Sequence, residues 1–282
     1  MQIEVGAQTD QGRVRANNED AYRLDERLSL FVLSDGMGGA AHGEVASAMA
    51  VETVIRYCAE AENNHAAPLF VEPRPDLSEL TNRLASAVTV ANKKIFESAT
   101  ANTEHRGMGA TIVAARVQGQ RLSLVHVGDS RAYLLRGGSL EQLTADHSLV
   151  AEHVRRGVMT PQEAETSSLQ SVLVRSLGAE ERVEAESDEL MLLENDTLVL
   201  CSDGLTRMVT DPEIASTLLT VEQAQAAADR LVQLANDYGG EDNITVIVLR
   251  ARPGGGGLLS RLRNWSSGRG QRSGNDPRLG GG

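Results

Sequence analysis

The 282 residues carry a net charge of −12 and only 3% aromatics, which offers neither a basic patch for a phosphate backbone nor a platform for stacking bases. At 41% hydrophobic the chain has material for one large domain or two small ones, yet no apolar run approaches a membrane span. Met1-Gln2-Ile3-Glu4-Val5 lacks the basic-then-apolar order of a secretory signal, and Cys58 and Cys201 are too few for a disulfide framework, so a cytoplasmic protein is expected.

Short strands are expected from residue 3 to about 35, with turns at Asp10-Gln11-Gly12 and Asp25-Glu26-Arg27. A glycine-rich turn, Gly36-Met37-Gly38-Gly39, then leads into a helix with Ala48, Val51, Ile55 and Cys58 on one face. Prolines 68, 73 and 75 make 63–76 a loop, and Leu77, Leu80, Leu84, Val88, Ala91 and Ile95 mark a second one-sided helix. Residues 109–144 read as four strands in antiparallel succession, turning at Gln118-Gly119-Gln120 and Arg136-Gly137-Gly138. The polar segment from Asp146, a candidate cap, to about Ser176 contains the capping box Thr160-Pro161-Gln162-Glu163, and its place between core strands suggests a flap. Strands near 182–190 and 196–201, helices near 211–219 and 221–237, and a strand ending at Arg250 follow. From 253 to 282 a Gly/Ser/Arg-rich tail is too poor in apolar residues to order itself.

Acidic residues stand at the ends of these apolar runs. Leu30-Phe31-Val32-Leu33 stops at Ser34-Asp35-Gly36, and Leu198-Val199-Leu200-Cys201 stops at Ser202-Asp203-Gly204. Asp129 follows the run ending at Val127, Asp242 opens the run from Ile244, and Asp20 follows Glu19 near the start. Two carboxylates ~4 Å apart repel by roughly 4 kcal/mol at an effective dielectric near 20, so a convergent set demands cations or protons. Oxygen ligands without paired Cys or clustered His select Mg²⁺ or Mn²⁺ over zinc. Taken singly, each Asp-Gly is ordinary turn punctuation; the set is not.

In order, Arg15-Ala16-Asn17-Asn18-Glu19-Asp20, Asp35-Gly36-Met37-Gly38-Gly39, Gly128-Asp129-Ser130-Arg131, Ser202-Asp203-Gly204 and Asp242-Asn243-Ile244-Thr245 resemble the metal-dependent protein phosphatases, the PPM or type 2C family, in bacterial form. The resemblance spans residues 5–250 and implies an α+β fold, a four-layer α-β-β-α sandwich of two antiparallel sheets flanked by helices. The domain would cover 1–252, with the flap at about 145–176. It implies two Mn²⁺ or Mg²⁺ ions and a metal-bridging hydroxide that attacks phosphoserine or phosphothreonine directly, with no covalent intermediate. By position, Asp35 would bridge the ions with help from the Gly36 carbonyl, and Asp203 and Asp242 would hold the second. Glu19 and Asp20 would act through water, and Asp129 would share a third, weaker ion with Asp203. Arg15 would grip phosphate, its fork meeting two oxygens where lysine could not; otherwise it is a surface arginine paired to Glu19. Met37 stands where many eukaryotic members have a proton-donating histidine, and His147 and Ser148 are expected near the third ion.

An active phosphatase therefore leads, acting on phosphoproteins and opposite a serine/threonine kinase and its targets, as a monomer that binds no nucleic acid. A silent PPM-fold phosphoprotein-binding module would be marked by loss of metal acids, and all are present. A two-metal nuclease also clusters acids, but the acidic surface and the Arg15 motif oppose it.

Overall fold

The computed structural model describes residues 1–38, 42–64 and 68–254, apart from the side chain of Glu165; the expected tail beyond Gly254 lies outside the described residues. Strands β1 (Gln2–Asp10), β2 (Asp20–Asp25) and β3 (Leu30–Met37) precede helices α1 (Gly43–Asn63) and α2 (Glu79–Ala101). Five strands follow: β4 (Gly109–Ala110), β5 (Ile112–Gln118), β6 (Arg121–Val127), β7 (Arg131–Arg136) and β8 (Ser139–Gln142). Two short helices, α3 (Leu149–Arg155) and α4 (Pro161–Glu165), occupy the polar segment. After them come β9 (Glu186–Met191), β10 (Thr197–Cys201), α5 (Asp203–Thr206), α6 (Asp211–Thr220), α7 (Ala224–Asp237) and β11 (Ile244–Arg252).

The strands form two antiparallel sheets. One runs β1-β11-β10-β7-β8; the other runs β2-β3-β5-β6-β9, with β4 added to the end of β3. Alternate residues of a strand face opposite sides, and here both sides are buried, which is why the runs are apolar throughout. Phe31, Leu33, Leu124, Leu200 and Ile247 pack between the sheets. Leu30 and Val32 instead meet α1 and α2 through Val54, Cys58, Leu84 and Val88. Val199, Val246 and Val248 meet α7 through Leu231 and Ala228. These three cores make the α-β-β-α sandwich that the sequence implied.

Several local expectations need correction. The strands of 109–144 are two hairpins in different sheets, because β6 pairs with β5 and β9 while β7 pairs with β10 and β8. Gly128-Asp129-Ser130 is therefore a passage from sheet to sheet. Nor do the two Ser-Asp-Gly motifs share a conformation. β4 offers partners to Gly36 and Met37, so β3 runs on through Asp35, whereas after Ser202 the chain turns into α5. On α1 the buried stripe is Ala46, Ala50, Val51, Val54 and Cys58, with Ala48 and Ile55 only half-buried. Small residues carry that stripe because the helix start lies against β3: a Cβ on Gly36 would sit 2.0 Å from the Gly43 carbonyl oxygen. Asp146 caps nothing; Ser148 caps α3 and Asp146 pairs with Arg131 at 2.7 Å. The capping boxes at Thr160 and Thr210 both form.

Cys58 and Cys201 are unpaired and buried, and burial pushes both thiols up to about 12. The folded protein at pH 8 is expected to give no reaction with an aromatic disulfide reagent, and two thiols per chain after denaturation. Rapid labelling without denaturant would contradict this packing.

Candidate metal centre

Five strand-end acids meet at one edge of the sandwich because the ladder and the loops bring them there. Asp20 opens β2 directly opposite Asp35 on β3. Asp203 opens α5 at the end of β10, Asp242 precedes β11, and Asp129 lies in the passage from β6 to β7. Burial pushes the Asp35 carboxyl well above the ordinary carboxylate range, and the charges of Asp20, Asp203, Asp129 and Asp242 add to it. Burial likewise lifts Asp20 to about 7 and Asp129 to about 8, each further raised by Asp203. Asp203 is raised too, first by burial, with Arg207 opposing.

The surrounding polar groups hold one oxygen of several acids and leave the other open. Asp20 Oδ2 accepts from Ser202 Oγ at 2.8 Å and from Thr245 Oγ1 at 2.6 Å, while its Oδ1 is buried without a partner. Asp203 Oδ2 takes Arg207 Nη2 at 2.5 Å, and its Oδ1 is also buried and unpartnered. Asp242 Oδ1 accepts its neighbour's Asn243 N–H at 2.9 Å, and Oδ2 takes Arg15 Nη2 at 2.6 Å with Arg207 Nη1 at 3.6 Å. The partner of Arg15 is thus Asp242 and not Glu19. Its side chain remains 51% exposed at the rim.

The backbone that carries these acids is cross-braced. Thr111 Oγ1 accepts the Asp35 N–H at 2.9 Å and lies 2.7 Å from Ser130 Oγ, so one hydroxyl ties the β3 acid to the turn of Asp129. Asn243 accepts the Glu19 N–H at 2.8 Å and donates to the carbonyls of Gln11 and Asn17, which ties the Asp242 turn to the loop of Arg15. The Glu19 carboxylate lies over Gly43, where a Cβ would stand 2.4 Å from Oε2. Two buried carboxylate oxygens without donors, in an all-oxygen cluster where Asp20, Asp35, Asp129 and Asp203 resist ionisation, fit a hard divalent cation. The sequence reading passed over Arg207, Asn243 and Thr111 in this role. Only the four-residue step from Asp203 to Arg207 on a helical turn could have pointed to one of them.

His147 and Ser148 do not turn toward the acids. The His147 ring is buried against Gly128 and Glu186, and Ser148 caps α3. His42 lies edge-on to His105 and His126 bonds to the Ala145 carbonyl, so neither joins the cluster.

A twin-sheet sandwich with a cluster of acids at its edge and arginines at the rim fits a metal-dependent hydrolase of phosphate esters. The model of the protein phosphatase 2C family matches residues 8–241. The serine/threonine phosphatase Stp of Listeria welshimeri is 38% identical over 244 residues, covering 86% of this chain and 93% of its own. The crystal structure of the Mycobacterium tuberculosis serine/threonine phosphatase PstP/Ppp superposes with a TM-score of 0.77 at 37% identity, covering 89% of this chain and 99% of that one. The PstP catalytic domain in complex with two manganese ions gives 0.74 at 38% identity, with the same coverage of both chains. The chain belongs to the protein phosphatase 2C family.

The raised carboxyls set a direction for stability against pH. A carboxyl raised in the fold keeps a proton that the unfolded chain releases near pH 4. In metal-free protein its contribution is full below that value and is lost as pH climbs through about 7 for Asp20 and about 8 for Asp129. Asp35→Asn removes one of the repelling charges. It is expected to raise the melting temperature of metal-free protein, and by more at pH 8 than at pH 5. A lower melting temperature at pH 8 would contradict the repulsion.

Proposed function

We propose that this chain is a metal-dependent protein serine/threonine phosphatase that hydrolyses phosphoserine and phosphothreonine. The observation that carries the proposal is the pair of donor-free buried oxygens, Asp20 Oδ1 and Asp203 Oδ1, inside a five-acid cluster rimmed by arginine. Family membership supports the same reading. Residues 1–252 would form the phosphatase domain, with 145–176 as a flap beside the site.

In this reading Asp35, the Gly36 carbonyl, Asp203 and Asp242 would hold two Mn²⁺ or Mg²⁺ ions, and Glu19 and Asp20 would help through water. Asp129, with Asp203, would hold a third, weaker one. When bound, such ions supply a water acidic enough to attack at neutral pH and neutralise charge on the phosphoryl group. The protein does the rest by position. Ser202 and Thr245 fix the rotation of Asp20, and Arg207 fixes Asp203, and each arrangement leaves one carboxylate oxygen without a partner. Arg15 keeps part of its donor fork in solvent at the rim, where it can grip two phosphate oxygens in line with the acids. Met37 has no proton to give, so the leaving oxygen takes its proton from another group.

The serine/threonine kinase as counterpart, the monomeric state and the cytoplasmic location belong to this proposal as well. Two unpaired buried thiols suit a reducing compartment. Among the described residues no helix is long and apolar enough to cross a membrane. The silent phosphoprotein-binding module is not favoured, because all the acids are in place.

The test is phosphate release from a phosphothreonine peptide with and without Mn²⁺. Release should require the metal and fall at least about a hundredfold in Asp203→Asn. Arg15→Lys keeps the charge but loses the fork, and should raise KM about tenfold. Metal-independent release, or full activity in Asp203→Asn, would overturn the reading.

A further inference from the structure

The passage from β6 to β7 puts Asp129 beside the acid cluster, with Gly128 before it and Ser130, held by Thr111, after it. Gly128 sits at φ 104°, in the left-handed region, with a would-be Cβ only 2.7 Å from Thr111 Cβ and Cγ2. Both polar groups of Gly128 are taken by one residue. The His147 backbone N–H donates to the Gly128 carbonyl at 3.0 Å, and the Gly128 N–H donates to His147 Nδ1 at 3.1 Å. We propose that His147 is a positioning residue for Asp129, its Nδ1 lone pair holding the Gly128 N–H and so the turn that aims the carboxylate at the cluster. The proposal rests on the reading that Asp129 helps hold a divalent ion.

The hydrogen bonds fix the tautomer. A backbone N–H can only donate, so Nδ1 bears a lone pair and the proton of the neutral ring is on Nε2. There it faces Glu186 Oε1 on β9 at 3.0 Å. Arg175 Nη1 lies 3.1 Å from the same Nε2 and 3.4 Å from that oxygen, so both N–H groups converge on the Glu186 carboxylate. The His147 ring is 1% exposed and stacks on His126 with centroids 4.8 Å apart. Burial, then His126, push it down to about 4, which keeps it neutral and Nδ1 free to accept.

His126, His147 and Glu186 also place one possible ligand atom each within 4.8 Å. The Gly128 bond argues against a metal there. A ring coordinating through Nε2 would carry its proton on Nδ1, facing the Gly128 N–H. The cluster is better explained as the support of the Asp129 turn.

Two substitutions separate this role from packing. His147→Asn puts an amide oxygen near the place of Nδ1 and discards Nε2. His147→Gln is closer to histidine in volume but reaches toward Nε2 and loses the acceptor for Gly128. In the full chain, Mn²⁺ binding is followed by electron paramagnetic resonance of the free ion, beside the Mn²⁺ dependence of phosphate release. His147→Gln is expected to weaken the Asp129-dependent Mn²⁺ binding and raise the half-activating Mn²⁺ concentration about tenfold. His147→Asn should recover most of that loss. In an Asp129→Asn background His147→Gln should add little. This arm stays decisive if glutamine also loosens the fold, because a loosened fold would lower Mn²⁺ affinity there too. Equal losses in both variants, a better-binding Gln than Asn, or an undiminished effect in Asp129→Asn would overturn the proposal. A wild-type chain without metal-dependent release would instead count against the phosphatase reading, and the binding arm would still decide the role of His147.

Discussion

Mutual repulsion among Asp20, Asp35, Asp129, Asp203 and Asp242 is the constraint on which the rest of this structure depends. Asp20, Asp35, Asp129 and Asp203 sit where the surrounding protein strips away water, so these four resist ionisation, and charged neighbours make the next charge harder to form. A fold that only had to be stable would not gather them. The sandwich tolerates the cluster because its three apolar cores are extensive and because the acids hang on strand ends that the ladders hold rigid. On the proposed reading, cations would convert the liability into function, since the same repulsion that lifts the carboxyls favours a divalent ion.

The supporting groups divide the work by oxygen. Hydroxyls of Ser202 and Thr245 take one oxygen of Asp20, and Arg207 takes one of Asp203, leaving the other open, while Arg15 and the Asn243 N–H take both oxygens of Asp242. Behind them Thr111, Asn243 and His147 act on backbone, Thr111 on Asp35, Asn243 on Glu19 and His147 on Gly128, and Thr111 also meets the Ser130 hydroxyl. Preorganisation of this kind lies in the layer that touches the ligands' own chain rather than the ligands.

What was legible from the residues follows the same division. Asp35, Asp129, Asp203 and Asp242 were legible because each ends or opens an apolar run, and runs buried on both faces are easy to read; Asp20 heads the half-buried β2 and showed only through its motif. The helical stripe of α2 was equally plain. The stripe of α1 was half right: Val51 and Cys58 are buried, but Ala48 and Ile55 stood in for Ala46, Ala50 and Val54, two of them alanines that pattern alone does not mark as core. The change of sheet at Gly128 was hidden: a glycine turn between two apolar strands looks the same whether the second strand pairs with the first or leaves for the other sheet. Arg207 was missed, and His147 was expected near the third ion without its bond to Gly128, for a related reason. A charged residue on a helical turn and a histidine in a polar segment look like surface until the tertiary fold aims them at a carboxylate and a backbone amide.

The central claim, that the cluster holds protons which divalent ions displace, is tested most directly by calorimetric titration of Mn²⁺ into metal-free protein at pH 6.5 in two buffers of different ionisation heat. The account predicts net proton release on binding, reduced in Asp35→Asn, because Asp20, Asp35 and Asp129 all titrate well above the ordinary carboxylate range. Tight Mn²⁺ binding with the same heat in both buffers would contradict it, since the carboxylates would then have been ionised before the metal arrived.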